Sequence, residues 1–66
     1  MLQEKVGENA GLIWNALNGI EGLTVKDLKK TLKLTEKEIL LSIGWLMREE
    51  KLVVEKNGLD YFVKLA

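Results

Sequence analysis

Apolar positions recur along the chain with a helical period three times and then switch to a period of two. Leu2, Val6, Ala10, Ile13 and Leu17 make one stripe, which predicts a helix over about Leu2 to Leu17 with Trp14 at the stripe's edge. Asn18-Gly19 ends it, with Gly19 a natural left-handed residue just past the last turn. Val25, Leu28 and Leu32 mark a short second helix over 25–32. Ile39, Ile43, Leu46 and Met47, with Leu40 beside them, mark a third from Glu36 to about Glu50 and face the core. Lys33-Leu34 makes the turn between these two, and Leu34 tucks between them. From residue 52 onward the pattern alternates. Strands over 52–56 and 59–65 flank Asn57-Gly58, a pair suited to a two-residue type I′ turn. That turn pairs Lys56 with Leu59, Val54 with Tyr61 and Leu52 with Val63 on one face. It sets Val53 against Phe62 and Glu55 against Asp60 on the other.

The second and third helices carry explicit start signals. A helix leaves its first four N–H groups without partners, and a threonine hydroxyl at the N-cap accepts from one of them. Thr35 with Glu38 fits a capping box, in which the acid also reaches back to the cap's own N–H. Thr24 with Asp27 is the same device with one methylene less. Each cap is worth about 1 kcal/mol. Gly22-Leu23-Thr24 reads as a short extended link that supplies a minor third strand. Gly7 and Gly11 each cost about 1 kcal/mol of helix propensity relative to alanine. They either admit a neighbouring backbone closely or are simply tolerated weak positions.

The order helix, helix, turn, helix, ribbon now has a name. The spacing Leu23-Thr24, Leu28, Leu32, Leu34-Thr35, Ile39, Ile43 and Leu46, then Leu52-Val53-Val54 and Tyr61 with Val63, resembles a winged helix-turn-helix domain of the bacterial regulator type. It resembles in particular small stand-alone bacterial winged-helix proteins of unknown function. The resemblance covers nearly the whole chain, so the expected architecture is α+β and one domain over 1–66. It implies DNA binding, with the third helix in the major groove and the hairpin against backbone or minor groove. Apolar spacing and caps are specific for a fold and only weakly specific for an activity.

Composition narrows the function classes. Sixty-six residues bury only about 60% of the surface an unfolded chain exposes, so a domain this small often needs a staple. With no cysteine and no histidine, the chain lacks disulfides, thiolate chemistry and the commonest metal ligand and general base. Ser42 is the only serine, no glycine-rich phosphate loop occurs, and the carboxylates lie in surface-patterned positions. The expectation is a protein that is not an enzyme and uses no metal or cofactor. Association is the staple left to it. No apolar run exceeds three residues, and the N-terminus lacks a signal-peptide layout, so a cytoplasmic, bacterial-type protein is expected.

Ten basic and ten acidic residues cancel, but not evenly. Lys26, Lys29, Lys30, Lys33 and Lys37 face only Asp27 and Glu36 over residues 26–37, a local excess of three. These lysines, with Arg48, are the candidate DNA-phosphate contacts; the plainer reading is a solvated helix face. The outward face of the third helix complicates the picture. It carries Lys37, Glu38, Leu41, Gly44, Trp45 and Arg48, with acids at the tip, where base contacts usually come from. Leu41 and Trp45 lie one turn apart and read no base edge by hydrogen bonds, apart from the single indole N–H. Either Trp45 packs on the wing or first helix, or it marks an association surface, or it meets nucleic acid. Val53 with Phe62 forms a second apolar pair outside the core. Leu41, Trp45, Val53, Phe62 and Trp14 are therefore the candidate surface of a homodimer or partner contact, the alternative to DNA binding.

Overall fold

The computed structural model describes residues 2–66. Its elements follow the order α1 (Leu2–Leu17), β1 (Leu23–Thr24), α2 (Val25–Leu32), α3 (Glu36–Arg48), β2 (Leu52–Asn57) and β3 (Asp60–Leu65). Both capping boxes are closed. Thr35 Oγ1 accepts from the N–H of Glu38 at 3.2 Å, and the N–H of Thr35 donates to Glu38 Oε1 at 2.9 Å. The shorter aspartate also reaches: the N–H of Thr24 donates to Asp27 Oδ2 at 3.2 Å, while Thr24 Oγ1 accepts from the N–H of Asp27 at 3.1 Å. Gly19 has φ +87, the left-handed residue expected after α1.

One core runs through all the helices. Ala10, Ile13 and Leu17 of α1 meet Val25 and Leu28 of α2, Ile39, Ile43 and Leu46 of α3, and Leu52 and Val63 of the sheet. Leu32 and Leu34 pack partly buried against it. The buried face of α3 is rotated from its expected setting. Met47 is 49% exposed rather than in the core, and α3 stops at Arg48 rather than Glu50. Ser42 is fully buried in its place, donating from Oγ to the Val6 carbonyl at 3.2 Å. A small side chain there lets α1 and α3 approach, and the contact turns Leu40 and Met47 away from α1. Leu2 is 65% exposed, so the α1 stripe is buried only from Ala10 onward, with Val6 half-buried. Nothing lies within 4 Å of a Cβ built at Gly7 or Gly11, so no neighbouring backbone uses the space they leave.

The sheet has the order β1-β3-β2, all antiparallel. The third strand at 23–24 exists, pairing Leu23 with Val63 and Thr24 with Phe62. The hairpin register differs from expectation by two residues. Asn57 pairs with Asp60, Lys56 with Tyr61, Glu55 with Phe62, Val54 with Val63, Val53 with Lys64 and Leu52 with Leu65. The turn is centred on Gly58-Leu59, with Gly58 at φ +64 and Asn57 kept in the strand. A glycine at the first central position is what the II′ class of hairpin turn requires. A slip of two preserves which side chains share a face, so the hydrophobic pattern does not resist it. Local chemistry favours it. Glu55 no longer opposes Asp60 but lies 3.1 Å from Lys64 Nζ, and Asp60 is released to bond elsewhere.

Candidate functional site

The candidate cations separate into two groups. Lys26, Lys29, Lys30, Lys33 and Lys37 are all exposed along α2, its C-terminal cap and the start of α3. Helical spacing puts Lys26, Lys29, Lys30 and Lys33 along one side of α2. Lys33 continues the row because it caps α2 in the left-handed conformation, φ 56 and ψ 38, donating its N–H to the Lys29 carbonyl. Lys26 and Lys29 line a concavity of about 430 Å³ that continues to the wing tip, with Asn57, Leu59 and Asp60 opposite. The positive charge there is tempered: Lys29 Nζ is 4.0 Å from Glu36 Oε1, and Asp60 stands beside Lys26. Arg48 is elsewhere, sharing a hollow with Leu2, Gln3, Leu41 and Trp45 on the α1 side of α3.

Carboxylates hold the tip of α3. The Thr35 N–H, then the Thr35 hydroxyl, both bonded to Glu38, lower the pKa of that carboxyl, and the nearby charge of Lys5 acts in the same direction. A carboxylate at the start of the helix repels phosphate rather than binding it.

The outer surface of α3 is mostly apolar. Leu41 and Trp45 are 50% and 44% exposed on its α1 side, and Leu40 and Met47 are exposed on its wing side. Gly44 runs between them, with nothing within 4 Å of a built Cβ. On the wing side Leu40, Met47, Val54 and Tyr61 line one apolar crevice. On the α1 side Trp45 shares a hollow with Trp14, Gly7 and Gly11. The structure thus brings Trp14, Leu41 and Trp45 together on one face. It does not bring Val53 and Phe62 together. Val53 stands opposite Lys64, and Phe62 is half-buried with its ring so close over Gly22 that a Cβ there would lie 2.6 Å from it.

Tyr61 joins the exposed apolar surface, and so do Leu40 and Met47, which the helical pattern set toward the core. The available signal was Ser42, a small polar residue one turn after Ile39 and next to Ile43, on the side of α3 that packs against α1. Among the described residues no three or more His, Cys, Asp or Glu side chains gather as a metal site would require. Among them, too, no helix is long and apolar enough to cross a membrane.

Known proteins share this arrangement. An uncharacterized protein of Methanocaldococcus jannaschii is 37% identical over 67 residues, which make up 92% of this chain and 90% of that protein. The solution NMR structure of a protein from Bacteroides thetaiotaomicron matches with a TM-score of 0.85 at 34% identity, covering 98% of this chain and 79% of that one. Relatives thus occur in an archaeon as well as a bacterium. The family model described as winged helix-turn-helix domain (DUF2582) matches residues 1–65, and the chain belongs to that family.

Proposed function

We propose that this winged helix is a non-enzymatic, cytoplasmic module that binds double-stranded DNA through its phosphates, as a regulator-type domain with little base readout of its own. The observation that carries the reading is the exposed row Lys26, Lys29, Lys30 and Lys33 on the helix-turn-helix, with Lys37 following at the start of α3. Phosphate contacts position a protein on a duplex, whereas base-edge hydrogen bonds specify sequence. The outer face of α3 offers Leu40, Leu41, Gly44 and Met47 where Arg, Asn or Gln would read bases.

The test is fluorescence anisotropy on a short labelled duplex over a salt series. Four lysines each neutralising one phosphate give a log-log slope of about −3.6, close to a 100-fold loss of affinity between about 50 and 200 mM salt. Charge reversal of Lys29 and Lys30 removes most of that binding while circular dichroism stays unchanged. Failure to bind at the lowest salt overturns the proposal. The apolar outer face of α3 favours a second reading, a protein-interaction module that uses the fold without reading DNA. In that case the charge reversals have no functional consequence and Trp45→Lys abolishes the interaction.

A further inference from the structure

We propose that two copies of this chain associate through the face shared by α1 and α3, with Trp14 and Trp45 of each copy against the glycine-floored hollow of the other. The proposal stands apart from the α2 lysines of duplex binding, because the concavity lined by Lys26 and Lys29 shares no residue with either hollow.

Area is the first argument. Leu2, Leu41, Trp45 and Trp14 are 65%, 50%, 44% and 38% exposed on this one face. For side chains of that size this amounts to on the order of 400–500 Å² of contiguous surface, the size at which the largest apolar patch of a monomer is often functional. Each partner of a standard interface contributes about 800 Å², so the patch supplies more than half of what one needs before its polar rim is added. Gln3, Asn15, Arg48 and Lys51 border the two hollows and form that rim.

Shape is the second. Trp45 lines both hollows, one of about 300 Å³ over Gly7 and Gly11 and one of about 420 Å³ beside Leu2 and Leu41. Gly7, Gly11 and Gly44 weaken their helices, yet among the described residues no side chain or neighbouring backbone lies within 4 Å of a Cβ built at any of them. Open glycine backbone next to protruding indoles places knobs and holes on the same surface. A two-fold contact requires that self-complementarity.

Charge is the third. Ten acidic and ten basic residues leave the chain formally neutral, so a second copy brings no net repulsion, and the two charges bordering the hollows, Arg48 and Lys51, stay at the rim of the apolar patch. A core drawn from a chain of 66 residues, with no disulfide, also leaves stability to be gained by association.

Sedimentation equilibrium on the intact chain tests this from about 5 to 500 μM, where mass action resolves a dimer of moderate affinity. The expected result is a reversible shift from 7.5 kDa to twice that mass, with a blue shift of tryptophan emission over the same range. Trp45→Lys weakens the dimer about 100-fold, as loss of a central aromatic anchor does. Gly11→Lys weakens it as much while raising helix propensity, so its loss of dimer cannot be ascribed to unfolding. A monomer at the highest concentration overturns the proposal. So does a dimer that survives both substitutions, which would place the contact on another surface such as the β2 edge, or a polydisperse series of larger species.

Discussion

The backbone N–H of Lys26 donates to Oδ2 of Asp60 across 3.2 Å, joining the first turn of α2 to the start of β3. That N–H is one of the donors a helix start leaves unpaired, and the carboxylate also stands at the positive end of the helix dipole. The other oxygen of Asp60 accepts from the N–H of Tyr61 at 2.8 Å. One side chain therefore sets both the wing's position relative to the helix-turn-helix and the local geometry where the hairpin turns.

Asp60→Ala removes both bonds and leaves the Lys26 N–H to solvent. The expected cost is about 1–2 kcal/mol. For a domain of this length that corresponds to a fall in Tm of roughly 4–8 °C per kcal/mol. Differential scanning calorimetry measures the loss, and amide exchange at Lys26 should accelerate more than at Asp27, whose N–H keeps its bond to Thr24.

Acid should loosen the start of α3 before the core melts. The Glu38 carboxyl is held below its ordinary value of 4.5 by the Thr35 N–H and hydroxyl. A depressed folded pKa contributes stability that is present above the unfolded value and is lost as pH falls through the folded one. Carbon-detected NMR titration of Glu38 gives the midpoint directly. Glu38→Gln keeps an acceptor for the Thr35 N–H and should flatten the pH dependence at the acid end without dissolving the helix start.

Glu50→Gly is expected to stabilise the protein. Glu50 has φ 58 and closes α3 with its N–H on the Met47 carbonyl, while the N–H of Lys51 reaches the Leu46 carbonyl, both at 2.9 Å. This is the end motif in which glycine is usual, because a side chain in the left-handed region costs about 1–2 kcal/mol. A gain of about 1 kcal/mol in urea unfolding is expected once the wider freedom of glycine in the unfolded chain is set against it.

Gly22→Ala should do the opposite. An added Cβ would stand 2.6 Å from the Phe62 ring and 2.7 Å from the Val63 carbonyl oxygen. The ring can tilt, but the carbonyl belongs to the β1–β3 pairing and cannot move without disturbing it. A loss of about 1–3 kcal/mol follows from forced overpacking. Gly7→Ala, with open space around it, should instead be neutral or mildly stabilising in the same urea series.

Much of the architecture is local and was legible for that reason. Thr24-Asp27 and Thr35-Glu38 satisfy helix starts through residues three apart in sequence, so residue types and spacing suffice to place both helices. Gly19 and the alternation from Leu52 onward are equally local. The register of the wing was not legible. Two registers offset by two residues bury the same side chains, and the observed one adds to the Gly58 turn and the Glu55–Lys64 pair a bond from Asp60 to α2, a partner 34 positions away.

The same division governs the candidate site. Sequence alone determined that the chain builds a winged helix, that its positive excess falls on the helix-turn-helix, and that Leu41 and Trp45 lie one turn apart on α3; that Trp45 is exposed was decided by the tertiary structure. Tertiary structure alone decided that Ser42 faces α1, that Met47 turns outward, that Phe62 lies over Gly22, and that Trp14 comes beside Trp45. Charge and period are properties of neighbouring residues. Which face of a helix is covered depends on what packs against it, and that is settled only when distant segments meet.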